Sequence, residues 1–457
     1  MVMILLELGN EVMIMKKYDY IILGTGPAGY KLAKLLSHTD KSLLAIEGGL
    51  FGGTCPNVGC EPKIFLEGAV HTQLMSQALD NRGIIPGKIN WEQLMKTKKA
   101  RFDEWPEQTK KIYYQMCDVV EGYGKFVAPH IVEVNGQQYE GKKIIIATGQ
   151  HPHKLDIPGS EYTHDSSEVL SLEKQPNHAI FFGGGYVGIE LATFLAAAGT
   201  KVDILVRSER ILRLFYGKYA AELVENMEQR NIRIHFFTSP TKILKNSNGF
   251  TVKTNNKKLP EIIGDYIVDA TGRIPNVNLN LEKAGILYNK HGIDVDSHLE
   301  TSAKGVYAIG DITNQAVPKL TPVAELQADY LYDVLENGKI ERLLYPTIGT
   351  AAFSFPQIAQ VGVNPQDAKD DSRFSVVEIK IGEGSPYAGI NDRKAKLTVV
   401  YDKKNRLVGA SELSFSAAND INNLVPVIGL KISKEDWHRH VLPIYPALAD
   451  KVEGILR

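Results

Sequence analysis

A glycine-rich turn between a short apolar strand and an apolar-periodic segment occurs twice in this chain, and a tail without that pattern follows. Together these predict an α/β fold: two Rossmann-like dinucleotide-binding domains and a C-terminal α+β domain. The first unit opens with YDYIIL (18–23), passes through GTGPAG and an apolar-periodic stretch over 30–36, and reaches the strand LLAIE (43–47). The second repeats the order with AIFF (179–182), GGGYVG, IELATFLAAAG and KVDILV (201–206). Three further strands, IIIATG (144–149), YIVDATGR (266–273) and VYAIGD (306–311), end in small residues. Small residues at a strand end let backbone come close to a ligand, which marks Thr148, Gly149 and Gly272. Past about residue 345, strands such as KLTVVYD alternate with helical stretches and carry no nucleotide signature.

The expected organisation is an N-terminal extension (1–17), a first nucleotide domain from 18–151 and 274–344, a second from 152–273, and a C-terminal domain over 345–457. A chain of 457 residues is too long for one small core. Lys plus Arg number 52 against 53 acids, so no net field draws nucleic acid or an anionic membrane. The opening MVMILLELGNEVMIM carries Glu7 and Glu11, lacks a basic start, and is too short and too charged for a membrane span. Met15 is therefore expected as the natural start, with 1–14 an upstream extension, and the protein is expected in the cytoplasm. Three cysteines in the whole chain fit such a reducing compartment.

In GTGPAG, Gly24 allows a tight turn, Gly26 lets backbone reach a pyrophosphate, and Gly29 lets helix and strand pack closely. The helix start then faces the phosphate with partial positive charge. Glu47 ends the second strand, where an acid bonds ribose hydroxyls. Asp311 closes an apolar strand, either as a turn former or as a partner for the sugar-like chain of a flavin. In the second unit Gly183, Gly185 and Gly188 take the glycine roles, but the strand ends in ILVR rather than in an acid. Arg207, Arg210 and Arg213 follow at spacing three, either as a solvated basic helix face or as partners for a 2′-phosphate, which predicts NADPH.

Cys55 and Cys60, separated by four residues in GGTCPNVGCEPK, follow the first signature closely. That placement predicts a redox dithiol fed by a flavin. Two cysteines make half a zinc site, and no second CxxC or HxxxH pair supplies the rest, so no metal site is expected.

GTGPAG, GGTCPNVGCEPK, IIIATG, GGGYVGIE, DATGRIPN, VYAIGD and LTPVA together resemble the class I flavoprotein disulfide reductases, within them the glutathione reductase branch. The resemblance runs from about residue 17 to the C-terminus. It implies FAD in the first site, with Gly53, Thr54 and Thr321 among its neighbours, and NADPH in the second. It implies a homodimer joined through the C-terminal domain. By similarity Cys60 is the charge-transfer thiol beside the flavin and Cys55 the interchange thiol that attacks the substrate. Lys63 is then placed near flavin N5, paired with Glu190, and Tyr186 covers the nicotinamide pocket.

The chain departs from that pattern near its end. The family carries His-Pro-Thr with a Glu three residues after the Thr, an acid/base pair for thiol exchange. Alignment on Pro443 puts Leu442 and Ala447 at those positions. Three outcomes follow: His440 or Tyr445 takes over proton transfer, the disulfide substrate is slow or has a good leaving group, or the acceptor is a metal ion, quinone or oxidant. The ending ILR lacks the C-terminal cysteine pair of mercuric reductase or high-molecular-weight thioredoxin reductase. The two active-site cysteines also disfavour the coenzyme A disulfide reductases, which use one. Lys34 reads as a solvated lysine and Cys117 as a small buried hydrophobe, while 90–114, interrupted by Pro106, offers no secure substrate contact. The expectation is thus an enzyme for a small-molecule acceptor, a disulfide first; a redox-sensing flavoprotein switched by Cys55 and Cys60 is the rival of another class.

Overall fold

The computed structural model describes residues 4–7, 12–247 and 249–457; of the expected extension, 1–3 and 8–11 lie outside the described residues. Two compact units emerge: one from Met1–Ile64, Thr97–His153 and Arg273–Leu344, the other from Phe65–Lys96, Lys154–Gly272 and Tyr345–Arg457.

In the first unit the strands Asp118–Glu121, Leu43–Glu47, Val12–Leu23 and Gln137–Ile146 lie side by side in that order. Val306–Ala308 pairs parallel with Gln137–Ile146. Val12–Leu23 begins earlier than YDYIIL suggests, because Lys16 and Lys17 pair with Tyr139 and Glu140 and Ile4–Glu7 pairs antiparallel along its start. Consecutive residues Ile21 and Ile22, Leu44 and Ala45, and Ile144 and Ile145 are fully buried. Both faces are therefore covered, which is why these strands read as continuous apolar runs. Each such isoleucine or leucine contributes roughly 1.5–3 kcal/mol by burial.

The register sets Leu23 beside Ile46 and Ile146. Gly24, Glu47, Ala147-Thr148-Gly149 and, after Val306–Ala308, Gly310-Asp311 therefore emerge at the same edge of the sheet. Ligands of doubly wound sheets bind outside this carboxyl edge. The helix Pro27–Leu36 follows directly, buries Ala28, Gly29, Leu32, Ala33 and Leu36 along one stripe, and starts with the proline whose fixed φ suits a first turn.

In the second unit Ile232–Phe236, Lys201–Val206, His178–Phe182 and Tyr266–Asp269 form a parallel sheet. The helix Tyr186–Ala197 is buried continuously from Gly188 to Leu195. The C-terminal part carries the antiparallel order Gly349–Ala352, Gln357–Gly362, Leu407–Ser414, Lys396–Asp402, Phe374–Lys380, with the helix Ala417–Gly429 contributing Ile421, Leu424 and Val427 to the same core. The stretch around Pro106 is two helices, Trp91–Phe102 and Trp105–Met116; the proline sits in the first turn of the second, where its missing N–H costs nothing.

Candidate active site

The turn after Leu23 requires glycine twice. Gly24 has φ of 101°, and a Cβ there would lie 2.5 Å from the Ala147 carbonyl oxygen. A Cβ on Gly29 would lie 2.1 Å from the Gly24 oxygen, so the helix seats directly on the turn. Gly26 differs: a Cβ there would meet nothing nearer than Gly53 Cα at 3.8 Å. It caps Pro27–Leu36 without any side-chain hydrogen bond, which leaves the first N–H groups of that helix available to an anion.

Glu47 is tied inward. Its Oε2 accepts from Thr25 N (2.8 Å) and Thr25 Oγ1 (2.6 Å), and its Oε1 accepts from Gly49 N at 2.7 Å. Thr25 Oγ1 in turn accepts from Gly52 N at 3.1 Å. The nucleotide turn, the end of the second strand and the start of the cysteine loop are thus one hydrogen-bonded assembly.

That loop delivers the two thiols. Asn57 Nδ2 donates to Phe51 O and Gly53 O, both at 2.8 Å, and closes the short helix Thr54–Val58. Gly59 then turns the chain into Cys60–Ala78; a Cβ on it would lie 2.8 Å from Thr54 O and 3.2 Å from Cys55 Cα. No larger residue lets Cys60 return over Cys55. Both cysteines are thiols, and the Cys55 S–H donates to Cys60. That bond, then the Thr321 hydroxyl at 3.8 Å, then the charge of Lys63, hold the Cys60 thiol at about 6, while the same bond and burial push Cys55 far up. In the dithiol form a single negative charge is therefore favoured on Cys60 over Cys55. Thr321 opens the helix Thr321–Glu336, whose positive end adds to the effect.

Sequence reasoning missed several neighbours. Arg273 donates to Gln150 O at 2.6 Å and to Thr54 Oγ1 at 3.2 Å, next to Cys55. Asn276 Nδ2 donates to Thr148 O at 2.6 Å, and Gln150 Nε2 donates to Asp311 O at 3.1 Å, so the motifs ATGQ, RIPN and GD brace one another. A cavity of about 350 Å3 in this unit is lined by Arg273, Lys290, His291 and Lys319 and by no carboxylate. Burial raises the Asp311 carboxyl and lowers the Lys319 amine, each opposing the other's shift. DATGR was the available signal for Arg273; Lys319 had none. The open Gly26 cradle, the uncapped helix start and this cationic lining fit a flavin dinucleotide with its diphosphate.

The second turn repeats the first. Gly183 has φ of 102° and a Cβ there would lie 2.4 Å from Ala270 O; a Cβ on Gly188 would lie 2.7 Å from Gly183 O; Gly185, the helix cap, faces open space. Gly272, at the end of DATG, faces open space as well, and so does Gly149 in the first unit. Tyr186 is exposed at the start of the helix. Glu190 is buried and accepts from Phe353 N at 2.8 Å, while Lys63 belongs to the first unit. The arginines are not on a helix. Residues 207–213 form an irregular loop in which Arg210 turns back to donate to Arg213 O at 2.7 Å, leaving Arg207 and Arg213 exposed.

At the C-terminal end the helix Lys434–His440 stops before Leu442, which is 99% exposed and offers no proton-transfer group. His440 ends that helix, and Tyr445 is exposed with Lys451 Nζ 5.5 Å from its ring centre. His438 Nδ1 lies 3.2 Å from Glu453 Oε1, a His–Glu pair shifted from the expected positions. Lys34 is exposed. Cys117 is half-buried, and burial pushes its thiol up to about 12, which disfavours the reactive thiolate. Among the described residues no group of His, Cys, Asp or Glu is placed to hold a metal, and no helix is long and apolar enough to cross a membrane.

Residues 18–328 match the family model for the pyridine nucleotide-disulphide oxidoreductases, and 348–454 match the dimerisation domain of the same enzymes. The chain belongs to that family. It is a flavin-dependent pyridine nucleotide-disulfide oxidoreductase with the two nucleotide folds of its class, and its dimerisation domain supports a homodimer. Similar proteins include the glutathione reductase of Nostoc sp., 28% identical over 95% of this chain and 98% of its own. The dihydrolipoyl dehydrogenase of Mycoplasma pneumoniae is 26% identical over 96% and 98%. The chloroplastic/mitochondrial glutathione reductase of Pisum sativum is 29% identical over 95% and 81%. A solved Cu(II) complex of the HOCl-induced flavoprotein disulfide reductase RclA of Escherichia coli shares the fold, with a TM-score of 0.86 at 24% identity, covering 96% of this chain and 99% of that one.

Proposed function

We propose that the chain is an NADPH-dependent FAD enzyme that delivers electrons through Cys55 and Cys60 to a small disulfide. The observation that carries this reading is the short helix Thr54–Val58 and the Gly59 turn, which bring Cys55 and Cys60 together beside Thr321 and Arg273, with Cys60 the thiol favoured as thiolate. Bound in the first site, FAD would supply the two-electron chemistry that links a reduced nicotinamide to the Cys55–Cys60 pair. Gly24, Gly26, Gly29 and Thr25, with Glu47 behind them, hold the first dinucleotide; Gly53, Thr54, Thr148, Gly149, Asp311 and Thr321 complete that site. Gly183, Gly185, Gly188 and Gly272 form the second, with Tyr186 over the nicotinamide pocket. Arg207 and Arg213 stand exposed after the strand Lys201–Val206, where they receive a 2′-phosphate. Lys63, a cation already felt by Cys60, stabilises negative charge near the thiolate.

In the exchange step Cys55 passes its proton to Cys60 and attacks one substrate sulfur; the substrate S–S bond breaks and a thiolate leaves. Cys60 hands that proton to the departing thiolate and attacks Cys55. The mixed disulfide breaks, a second thiolate leaves to be protonated by solvent, and the Cys55–Cys60 bond re-forms. The dithiol thus activates its own nucleophile and protonates the first leaving group, and only the second departing thiolate lacks a dedicated acid.

A second reading keeps the same electron path but ends on a metal ion, quinone or oxidant. It is favoured by Leu442 and Ala447, which provide no group to protonate a leaving thiolate. Sulfur ligands favour soft Cu(I), the one-electron reduction product of Cu(II), so Cu(II) belongs among its candidate acceptors. A steady-state screen of glutathione disulfide, other small disulfides, Cu(II) and quinones, with Leu442→His alongside, separates the readings. The first expects disulfide turnover raised by Leu442→His. Turnover confined to Cu(II) or quinones, unaffected by that substitution, selects the second.

A further inference from the structure

The second unit contains a cavity of about 300 Å3 that none of the nucleotide or thiol residues lines. Its apolar wall is Leu74, Ala196, Met227 and Phe355, and Arg230 stands in it just beyond the helix Gly217–Glu228. The guanidinium carbon lies 5.0 Å from the Phe355 ring centre, and one Nη1–H donates to Asn226 O at 3.1 Å. Burial lowers the Arg230 pKa, and no carboxylate among the described residues counters it. A guanidinium presents five N–H donors in a planar fork, and a partly desolvated cation without a counter-charge is costly. Thr193, also in the lining, spends its hydroxyl on Ile189 O.

We propose that this cavity binds a small amphipathic monocarboxylate. The carboxylate pairs bidentately with Arg230, and a short aliphatic chain lies against Leu74, Ala196, Met227 and Phe355. The volume is at the lower end for ligand pockets, which limits the guest to a few carbons beyond the headgroup. The inference is independent of the electron acceptor.

Calorimetry of the full-length flavin-loaded protein with hexanoate, hexanol and hexylammonium tests it. Wild type is expected to bind hexanoate saturably in the millimolar range and to bind neither hexanol nor hexylammonium. Arg230→Met, which keeps much of the bulk without the charge, and Ala196→Leu, which fills the cavity and keeps the guanidinium, each weaken hexanoate by about tenfold or more. Hexanoate also raises the Tm of wild type and not of either variant. The proposal is overturned by absence of saturable hexanoate binding, by equal binding of hexanol, or by undiminished binding in Ala196→Leu. The last two hold even if Arg230→Met fails to fold.

Discussion

Thr25 Oγ1 donates to Glu47 Oε2 at 2.6 Å, and through the same oxygen it accepts from Gly52 N at 3.1 Å. One hydroxyl thereby fastens the dinucleotide turn to the loop that carries both thiols. Thr25 is fully buried, so no water replaces it. Thr25→Val keeps the shape and removes both bonds. A loss of about 1–3 kcal/mol in stability is expected, together with faster flavin loss in dialysis. Unchanged Tm and unchanged flavin retention would show that the assembly is not needed.

The Cys60 thiolate sets a pH dependence. In the reduced protein its ionisation, read as thiolate absorbance or alkylation rate, is expected to have a midpoint near 6. Below that pH the thiolate is protonated and the signal disappears. Thr321→Val removes a hydroxyl 3.8 Å from the sulfur and should move the midpoint upward by roughly one unit. A midpoint that stays in place would remove Thr321 from the account.

A second dependence lies in the C-terminal part. Asp392 is buried against Glu412, Asp420 and Tyr387, and burial raises its carboxyl to about 6 although Phe415 N donates to it at 2.6 Å. Burial raises Glu412 and Asp420 as well. A carboxyl whose folded value lies above its unfolded value binds more protons in the folded state. Its contribution is fully present below the ordinary value of 3.8 and is lost as pH rises through about 6. The loss is on the order of 3 kcal/mol for Asp392. Asp392→Asn should flatten the fall of Tm across this window, and an identical slope would contradict the assignment.

For nucleotide choice, Arg207→Ala with Arg213→Ala should lower kcat/KM for NADPH by roughly 10–100-fold and leave NADH within a few-fold. Equal losses for both nucleotides would mean that the arginines do not read a 2′-phosphate.

The parts of the fold that were legible in the sequence were those where backbone geometry dictates residue type. Gly24 and Gly183 occupy turns that a side chain cannot enter, and the runs around Ile21 and Phe181 are buried on both faces. Less legible were contacts that join distant segments. Arg273 reaches Thr54 across 219 positions, and no local pattern announces such a bond. Glu47 read as a ribose partner, yet both its oxygens also hold backbone, because the strand end and the turn are closer than the spacing suggested. The arginines after Val206 had helical spacing but no helix, since Arg210 satisfies a loop carbonyl instead.

The central claim is that Cys55 and Cys60 exchange electrons with the flavin. Anaerobic titration of the oxidised protein with NADPH, followed by visible absorption, tests it most directly. The account predicts uptake of one electron pair for the flavin and a further pair for the disulfide, with a long-wavelength charge-transfer band that persists in Cys55→Ser and is lost in Cys60→Ser. Uptake of a single pair in wild type, with no such band and no difference between the variants, would contradict it.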